Sequence, residues 1–271
     1  METLVEADKF IKNREELKTN GYTLFPGLLS QEDIQKLRTA CLDYFNKNHS
    51  FIYYMGGKTQ SDAMSRISGI QFLLNHPRVS EVLKGCIDDV RFLHHSDAHL
   101  NMLNGWHKDI TGYVKDPWEE RQGNESFGVY KIAFYLQDHL NDNNGFSLKK
   151  GSHLRRELGI GEHVDLHTRA GDALLFDQRL DHVGQQPNLF ERVMLRYGKG
   201  SDSSYGVLHT WRKLNGKKDK MSVFMGFGKT NAFSEEFATN CIARQNRQNN
   251  VSEYKINSEV RTRLEEAGIG Y

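Results

Sequence analysis

Between Arg91 and Gly198 the chain carries a series of short β-rich runs, most of them closed by Gly, Asn or Asp. They are Phe92 to Met102, Phe127 to Leu136, Phe146 to Leu148, His163 to His167, Ala173 to Phe176 and Arg192 to Tyr197. Neither a helical period nor a repeating βα alternation persists here, so the strands must pair among themselves in a sandwich or barrel. The flanks read differently. Glu6 to Lys18 sets Phe10, Ile11 and Leu17 at helical intervals ahead of Asn20-Gly21, a left-handed stop. Tyr22 to Phe25 reads as a strand, and Ser30 with Asp33 as the start of a helix over Gln31 to Asn46. Ile67 to Leu74 and Val79 to Ile87 form helical turns, the second launched by His76-Pro77. Past Gly198 come a polar connection, a strand at Ser222 to Gly226, and helices near Ser234 to Arg247 and Ser258 to Ala267. The expected class is α+β with a mainly β core. A helical part over about 1–89, a β core over about 90–198 and an extension over about 199–271 are expected to form a single domain.

Charge says little about partners. Thirty-six Lys plus Arg stand against thirty-five Asp plus Glu, so no global field favours nucleic acid or a membrane surface. The basic pairs Arg212-Lys213 and Lys217-Lys218 lack interleaved aromatics on which bases stack, and no nucleic-acid partner is expected. No apolar run approaches the roughly 20 residues that span a bilayer. Met1 to Glu6 lacks the basic start and apolar stretch of a secretory signal, which makes the cytoplasm the expected location. Cys41, Cys86 and Cys241 are widely separated and odd in number, which fits reduced, buried thiols rather than a disulfide framework.

The chemistry-bearing segment is Gly105-Trp106-His107-Lys108-Asp109. One residue separates His107 from Asp109, so on an extended segment both side chains point the same way and can grip one ion. His182 follows the apolar Ala173-Leu174-Leu175-Phe176 run and emerges at its rim, where it supplies a third ligand. Two imidazoles and a carboxylate on one face of a metal leave the opposite face open, the arrangement of non-haem Fe(II) oxygenases. Twelve histidines also create decoys: His95-Ser96-Asp97, Asp97-Ala98-His99 and Asp165-Leu166-His167. Each sits inside a strand, whereas His107 follows the Asn104-Gly105 turn, and ligands at strand ends can face an open cavity. A calcium loop built on Asp138 to Gly145 fails, because Gly145 at its sixth position would place Leu140 first and Gly151 twelfth.

Trp106-His107-Lys108-Asp109, Asn143 to His153, and Gly171-Asp172 leading through His182 to Arg192 together resemble the phytanoyl-CoA dioxygenase family of Fe(II)- and 2-oxoglutarate-dependent oxygenases. The order of the blocks agrees, and the likeness runs from about Tyr22 to Tyr197. The resemblance implies a double-stranded β-helix (a cupin-like jelly roll) with flanking helices. It implies that His107, Asp109 and His182 bind Fe(II), that Arg192 holds the distal carboxylate of 2-oxoglutarate, and that Phe134 walls the co-substrate pocket. Arginine's planar fork suits that carboxylate, with Arg196 as the competing anchor. Two departures stand out: Lys150-Gly151-Ser152-His153 replaces Pro-Gly-Ser-His, and Gly184 occupies a position often held by a hydroxyl residue.

The activity so implied consumes dioxygen and 2-oxoglutarate, releases succinate and carbon dioxide, and hydroxylates an unactivated C–H bond of a small or carrier-linked metabolite. Asp109 disfavours halogenation, which requires a small residue at that ligand. Lys149, Lys150, Arg155 and Arg156 would favour an anionic substrate if they border the pocket. Tyr113, Trp118, Arg179, His95, His99 and Asn101 are candidate cavity residues, and the loops Thr111 to Ser126 and Lys199 to Lys220 candidate lids. The sequence leaves the oligomeric state open. It also leaves two rivals: a zinc hydrolase on the same three ligands, in which Arg192 would have no role, and a β-sandwich binding protein without turnover.

Overall fold

The computed structural model describes residues 9–47, 50–121, 126–140, 145–198, 202–217 and 219–271. Met1 to Asp8, the Asn141 to Asn144 part of the expected turn, parts of both candidate lids (122–125 and 199–201) and Lys218 lie outside them.

Local chemistry sets the N-terminal elements. Helix α1 (Ile11–Asn20) ends at Gly21, whose φ of 86° is left-handed and whose N–H donates to the Leu17 carbonyl. A Cβ at Gly21 would lie 2.5 Å from His153 Nδ1, so this turn needs glycine twice over. Strand β1 (Tyr22–Phe25) follows directly. Helix α2 (Gln31–Lys47) opens with a reciprocal cap in which Asp33 N–H donates to Ser30 Oγ and Ser30 N–H to the Asp33 carboxylate. Its Ile34, Leu37, Cys41 and Phe45 make one buried stripe. Strands β2 (Ile52–Tyr54) and β3 (Gly57–Ser61), a hairpin the sequence reading missed, precede short α3 (Ala63–Arg66) and α4 (Pro77–Cys86).

The β core contains β4 (Arg91–Leu100), β5 (Val129–Tyr135), β6 (Phe146–Lys150), β7 (Glu162–Leu166), β8 (Ala173–Asp177) and β9 (His182–Val183). Beyond it come α5 (Leu189–Gly198), α6 (Asp202–Leu214), β10 (Met221–Gly228), α7 (Ala232–Asn249) and α8 (Ser258–Ala267). A seven-stranded antiparallel sheet runs β1-β8-β5-β10-β4-β3-β2, facing a three-stranded sheet β7-β6-β9. The large sheet therefore recruits strands from both flanks, and β10 inserts between β5 and β4.

Side-chain alternation explains the layering. On β5 and β8, Ile132, Phe134, Ala173 and Leu175 join the helix-side core, while Ala133, Tyr135, Leu174 and Phe176 face Phe146 and Leu148 of the small sheet. Strands buried on both faces are continuously apolar, as Ala173 to Phe176 is. This is the jelly-roll arrangement with flanking helices. Among the described residues no helix is long and apolar enough to cross a membrane.

One expectation is overturned. Arg192 to Tyr197 is not a strand but part of α5. Asn188 and Glu191 form a reciprocal cap, Glu191 N–H donating to Asn188 Oδ1 and Asn188 N–H to the Glu191 carboxylate, both at 2.9 Å. Glu191 is fully buried and its Oε1 meets Arg212 Nε of α6 at 3.0 Å, while Arg212 Nη1 also donates to the Gly56 and Asn101 carbonyls. This ion pair fastens the α5–α6 insert to the sheet rim.

Removing one partner of a buried pair strands the other charge at a cost of roughly 3–5 kcal/mol. Arg212→Met is expected to lose about that much in urea unfolding, toward the lower end because Lys217 Nζ stands 3.8 Å from Glu191. The double variant Glu191→Leu/Arg212→Met should recover most of the loss. An unchanged midpoint in the single variant would show that the pair does not anchor the insert.

Candidate metal centre

The two histidines meet through their backbones. His107 N–H donates to the His182 carbonyl at 3.1 Å and His182 N–H returns the bond at 3.0 Å, an isolated antiparallel bridge that sets their imidazoles side by side. The ring centroids are 4.3 Å apart. His107 Nδ1 lies 2.8 Å from the Gly105 carbonyl and His182 Nδ1 lies 3.0 Å from the Leu180 carbonyl. A carbonyl can only accept, so each Nδ1 carries the proton and each Nε2 lone pair is left for a metal. Asp109 completes the set: its Oδ1 is 3.4 Å from His107 Nε2 and its Oδ2 is 3.4 Å from His182 Nε2. The three ligand atoms lie within 4.8 Å of one another, and His107, Asp109 and His182 are the group able to hold a metal ion among the described residues.

Electrostatics favour the ligand states of His182 and Asp109, while Asp109 pulls the more exposed His107 upward against burial. Burial pushes His182 down to about 3, against Asp109, so the imidazole stays neutral. Phe146 stacks on it at 5.0 Å and Phe176 meets its edge. Burial would raise Asp109, but the Lys131 ammonium, His182 and His107 outweigh it and hold the carboxyl well below its usual range. Lys131 Nζ donates to Asp109 Oδ2 at 2.6 Å.

The residues next to the ligands lock the site from behind. Lys108 Nζ donates to the Ser152 and Arg179 carbonyls at 2.9 and 2.8 Å and meets Asp181 Oδ1 at 2.5 Å. Ser152 Oγ accepts from Asp181 N–H at 2.8 Å. The Gly151-Ser152-His153 motif therefore braces the ligand strands, and Lys150 in place of proline leaves that brace intact. Gly151 N–H still turns onto the Asn20 carbonyl.

A chamber of about 70 Å³ opens on the ligands, lined on the large sheet by His99, Lys131, Tyr135, Ser222 and Phe224, with Lys220 at its edge. Two expected co-substrate residues are absent from it. Arg192 is exposed on α5, its Nε donating to the Pro187 carbonyl, and does not line the chamber. Arg196 is exposed on the same helix. Phe134 is fully buried in the helix-side core; its neighbours Lys131 and Tyr135, on the opposite face of β5, reach the chamber. A shift of one residue along a strand inverts the face.

A cation of the chamber wall that sequence reasoning did not single out is Lys220, the residue preceding β10. It is buried, its Nζ donates to the Gly145 carbonyl at 3.1 Å, and it stands 5.8 Å from the Tyr135 ring. At Gly184 a Cβ would be in ordinary contact with Lys220 Nζ at 3.6 Å and tight against Asn104 Oδ1 at 3.2 Å. Gly184 also donates its own N–H to Asn104 Oδ1 at 2.7 Å. The available signal was the strand at Ser222 to Gly226, preceded by the run Lys217-Lys218-Asp219-Lys220.

Of the other candidates, His95, His99 and Tyr113 border a second cavity. Asn101 accepts from Lys220 N–H, Trp118 Nε1 donates to the His153 carbonyl, and Arg179 is held by Asp177. Lys149, Lys150, Arg155 and Arg156 line neither cavity. Lys149 lies over Trp106, and Arg156 pairs with Glu119.

Solved structures with this fold include the non-haem α-ketoglutarate-dependent epimerase SnoN of nogalamycin biosynthesis, 13% identical over 82% of this chain and 83% of that one, with a TM-score of 0.59. The carbocyclase SnoK of the same biosynthesis is 17% identical over 82% and 85%, TM-score 0.58. HygX from Streptomyces hygroscopicus, solved with nickel and 2-oxoglutarate bound, is 14% identical over 81% and 87%, TM-score 0.56. SnoN has also been solved with Fe3+, α-ketoglutarate and nogalamycin RO, and HygX with hygromycin B. No curated protein matches the chain by sequence. The phytanoyl-CoA dioxygenase (PhyH) profile matches residues 17–188, which include all three ligands. The chain belongs to the phytanoyl-CoA dioxygenase family.

Proposed function

We propose that this protein is an Fe(II)- and 2-oxoglutarate-dependent dioxygenase that hydroxylates a C–H bond of a small molecule. His107, Asp109 and His182 would hold the iron, and Lys220 with Ser222 would hold the distal carboxylate of 2-oxoglutarate. The observation that carries this reading is the convergence of three ligand atoms within 4.8 Å, with both imidazoles fixed by backbone carbonyls so that Nε2 is presented. A zinc hydrolase could use the same ligands, but the family match over residues 17–188 favours the dioxygenase.

When bound, iron and 2-oxoglutarate supply the oxidising power by consuming dioxygen and releasing succinate and carbon dioxide, one oxygen atom entering the substrate and one the succinate. The protein's own residues orient and exclude. Phe146, Phe224 and Tyr135 wall the chamber with rings, which keeps water from the reacting groups. Lys220 offers a carboxylate charge-assisted donors from the chamber wall. Lys131 keeps Asp109 ionised and oriented through its 2.6 Å bond. SnoN and HygX hold small molecules in their structures, which supports a small-molecule substrate here. Cys41, Cys86 and Cys241 are buried and free, as suits a reducing compartment, and the cytoplasm is the proposed location.

Anaerobic addition of Fe(II) and 2-oxoglutarate to pure protein is expected to raise a weak visible charge-transfer band, and oxygen then to release succinate. His107→Ala, Asp109→Ala and His182→Ala should each lose both signals while circular dichroism stays unchanged. Normal succinate release from His107→Ala would remove the iron assignment.

A charge-assisted hydrogen bond contributes about 1.5–3 kcal/mol, equivalent to about 10–100-fold in affinity. Lys220→Ala is accordingly expected to raise the KM for 2-oxoglutarate by about that factor, with Arg192→Ala close to wild type. The opposite ranking would restore Arg192 as the anchor.

A further inference from the structure

Next to the metal chamber lies a cavity of about 380 Å³, and the two share His99, Met102, Asp109 and Lys131. Its polar wall has a regular origin. His95, Asp97 and His99 recur at every second position of β4 and so share one face. On the neighbouring strand Thr59 stands opposite His99 and Ser61 opposite Asp97. Across the sheet His99 is also opposite Ser222, which is opposite Tyr135, so one rung runs from this cavity into the metal chamber. Helix α7 adds Arg244 and Gln248, one turn apart.

The charges in this wall are already matched. Arg244 donates to Asp97 Oδ1 at 2.7 Å and to the Tyr113 hydroxyl at 2.9 Å. His95 Nε2 lies 3.2 Å from Asp97 Oδ2, and His99 Nδ1 lies 2.7 Å from Thr59 Oγ1. Burial pushes His95 down to about 3 and His99 to about 4, in both cases against the pull of Asp97, so both rings are neutral. Lys131, the other cation, is bonded to Asp109. Among the described residues of this cavity each cation already faces a carboxylate, so a phosphate, carboxylate or CoA tail would have to displace one, and an ammonium would have to compete with Arg244 for Asp97. The groups that remain are neutral imidazoles, hydroxyls and an amide, which both donate and accept. His95 Nδ1 and Arg244 Nε are buried without a partner. The rings of Tyr54 and Tyr113 supply flat apolar surface beside them.

We propose that this cavity receives an uncharged, hydroxyl-rich ring substrate of carbohydrate or cyclitol type, held by the His95–Asp97–His99 face with Thr59, Ser61 and Gln248. A hydroxyl is both donor and acceptor, which is what this wall complements. The rung through His99 and Ser222 then presents a C–H bond at the metal chamber. Oxidation of the bound ring rests on the dioxygenase reading, but its binding does not.

Saturation-transfer NMR on the full chain, without iron, tests binding alone. The probes are myo-inositol, neutral mono- and disaccharides and their phenyl glycosides, each against its phosphorylated or carboxylated counterpart, with acetyl-CoA as a further anion. Neutral probes are expected to bind at least tenfold more tightly than charged ones. Gln248→Leu and Ser61→Ala, neither of which lines the metal chamber, should each weaken them about tenfold while the Fe(II)–2-oxoglutarate band persists. Tighter binding of the charged counterparts or acetyl-CoA, no binding of any neutral probe, or neutral binding indifferent to both variants would overturn the proposal. Neutral binding without the band would support this cavity assignment and overturn the dioxygenase reading instead.

Discussion

The paired backbone hydrogen bonds between His107 and His182 determine where every other group of the metal centre stands. Seventy-odd residues separate the two ligands in sequence, and nothing in either side chain would hold them together without a metal. Each backbone bond contributes only about 0.5–1.5 kcal/mol net, so the junction needs reinforcement. Lys108 and Asp181, the neighbours of those ligands, supply it as a buried ion pair whose remaining donors and acceptors are satisfied by Ser152, Arg179 and Gly159. Removing either member would leave an unpaired charge directly behind the metal ligands.

That junction also explains how the co-substrate side could diverge. Between β9 and β10 the chain leaves the sheet for two helices and returns at Lys220, so the strand beside the metal need not begin soon after the second histidine. The insert is tied down by Glu191 and Arg212 to Gly56 and Asn101, at the ends of strands that frame the larger cavity. Leu208 and Leu195 pack against the Gly56 turn, where a Cβ would meet them at 3.0 and 3.2 Å. The insert therefore braces the start of β3 and the end of β4 without altering the ligand geometry.

The ligand set, most of the strands and the flanking helices were legible because each rests on short-range chemistry: a caps-and-stops signal, a two-residue period, a turn before His107. Ser258 to Ala267 appears as α8 with the same limits. Arg192 misled for a physical reason. Val193, Leu195 and their neighbours alternate well enough to pass for a strand, and the apolar face they make is only partly covered in the helix that forms. The Asn188-x-x-Glu191 cap was the local sign of helix, and it had less visible weight than the hydrophobic run. Phe134 misled through parity, since no local feature says which face of a doubly buried strand meets a cavity. The partnership of Arg244 with Asp97, 147 positions apart, has no local trace at all.

Charge separates the two compartments. Under the proposed function the inner chamber keeps Lys220 beside the metal ligands, where a dicarboxylate would gain both a charge-assisted hydrogen bond and metal coordination. The outer cavity has cancelled its own ion pair and kept its histidines neutral, so the same dianion would lose hydration there with little return. Each ligand is thereby excluded from the other's place by desolvation, without a steric barrier between cavities that share His99 and Asp109. Had Asp97 been left unpaired, it would have placed a second carboxylate near Asp109 and drawn cations into the outer cavity. Arg244 prevents this, which gives a buried guanidinium outside the metal centre a reason to be there.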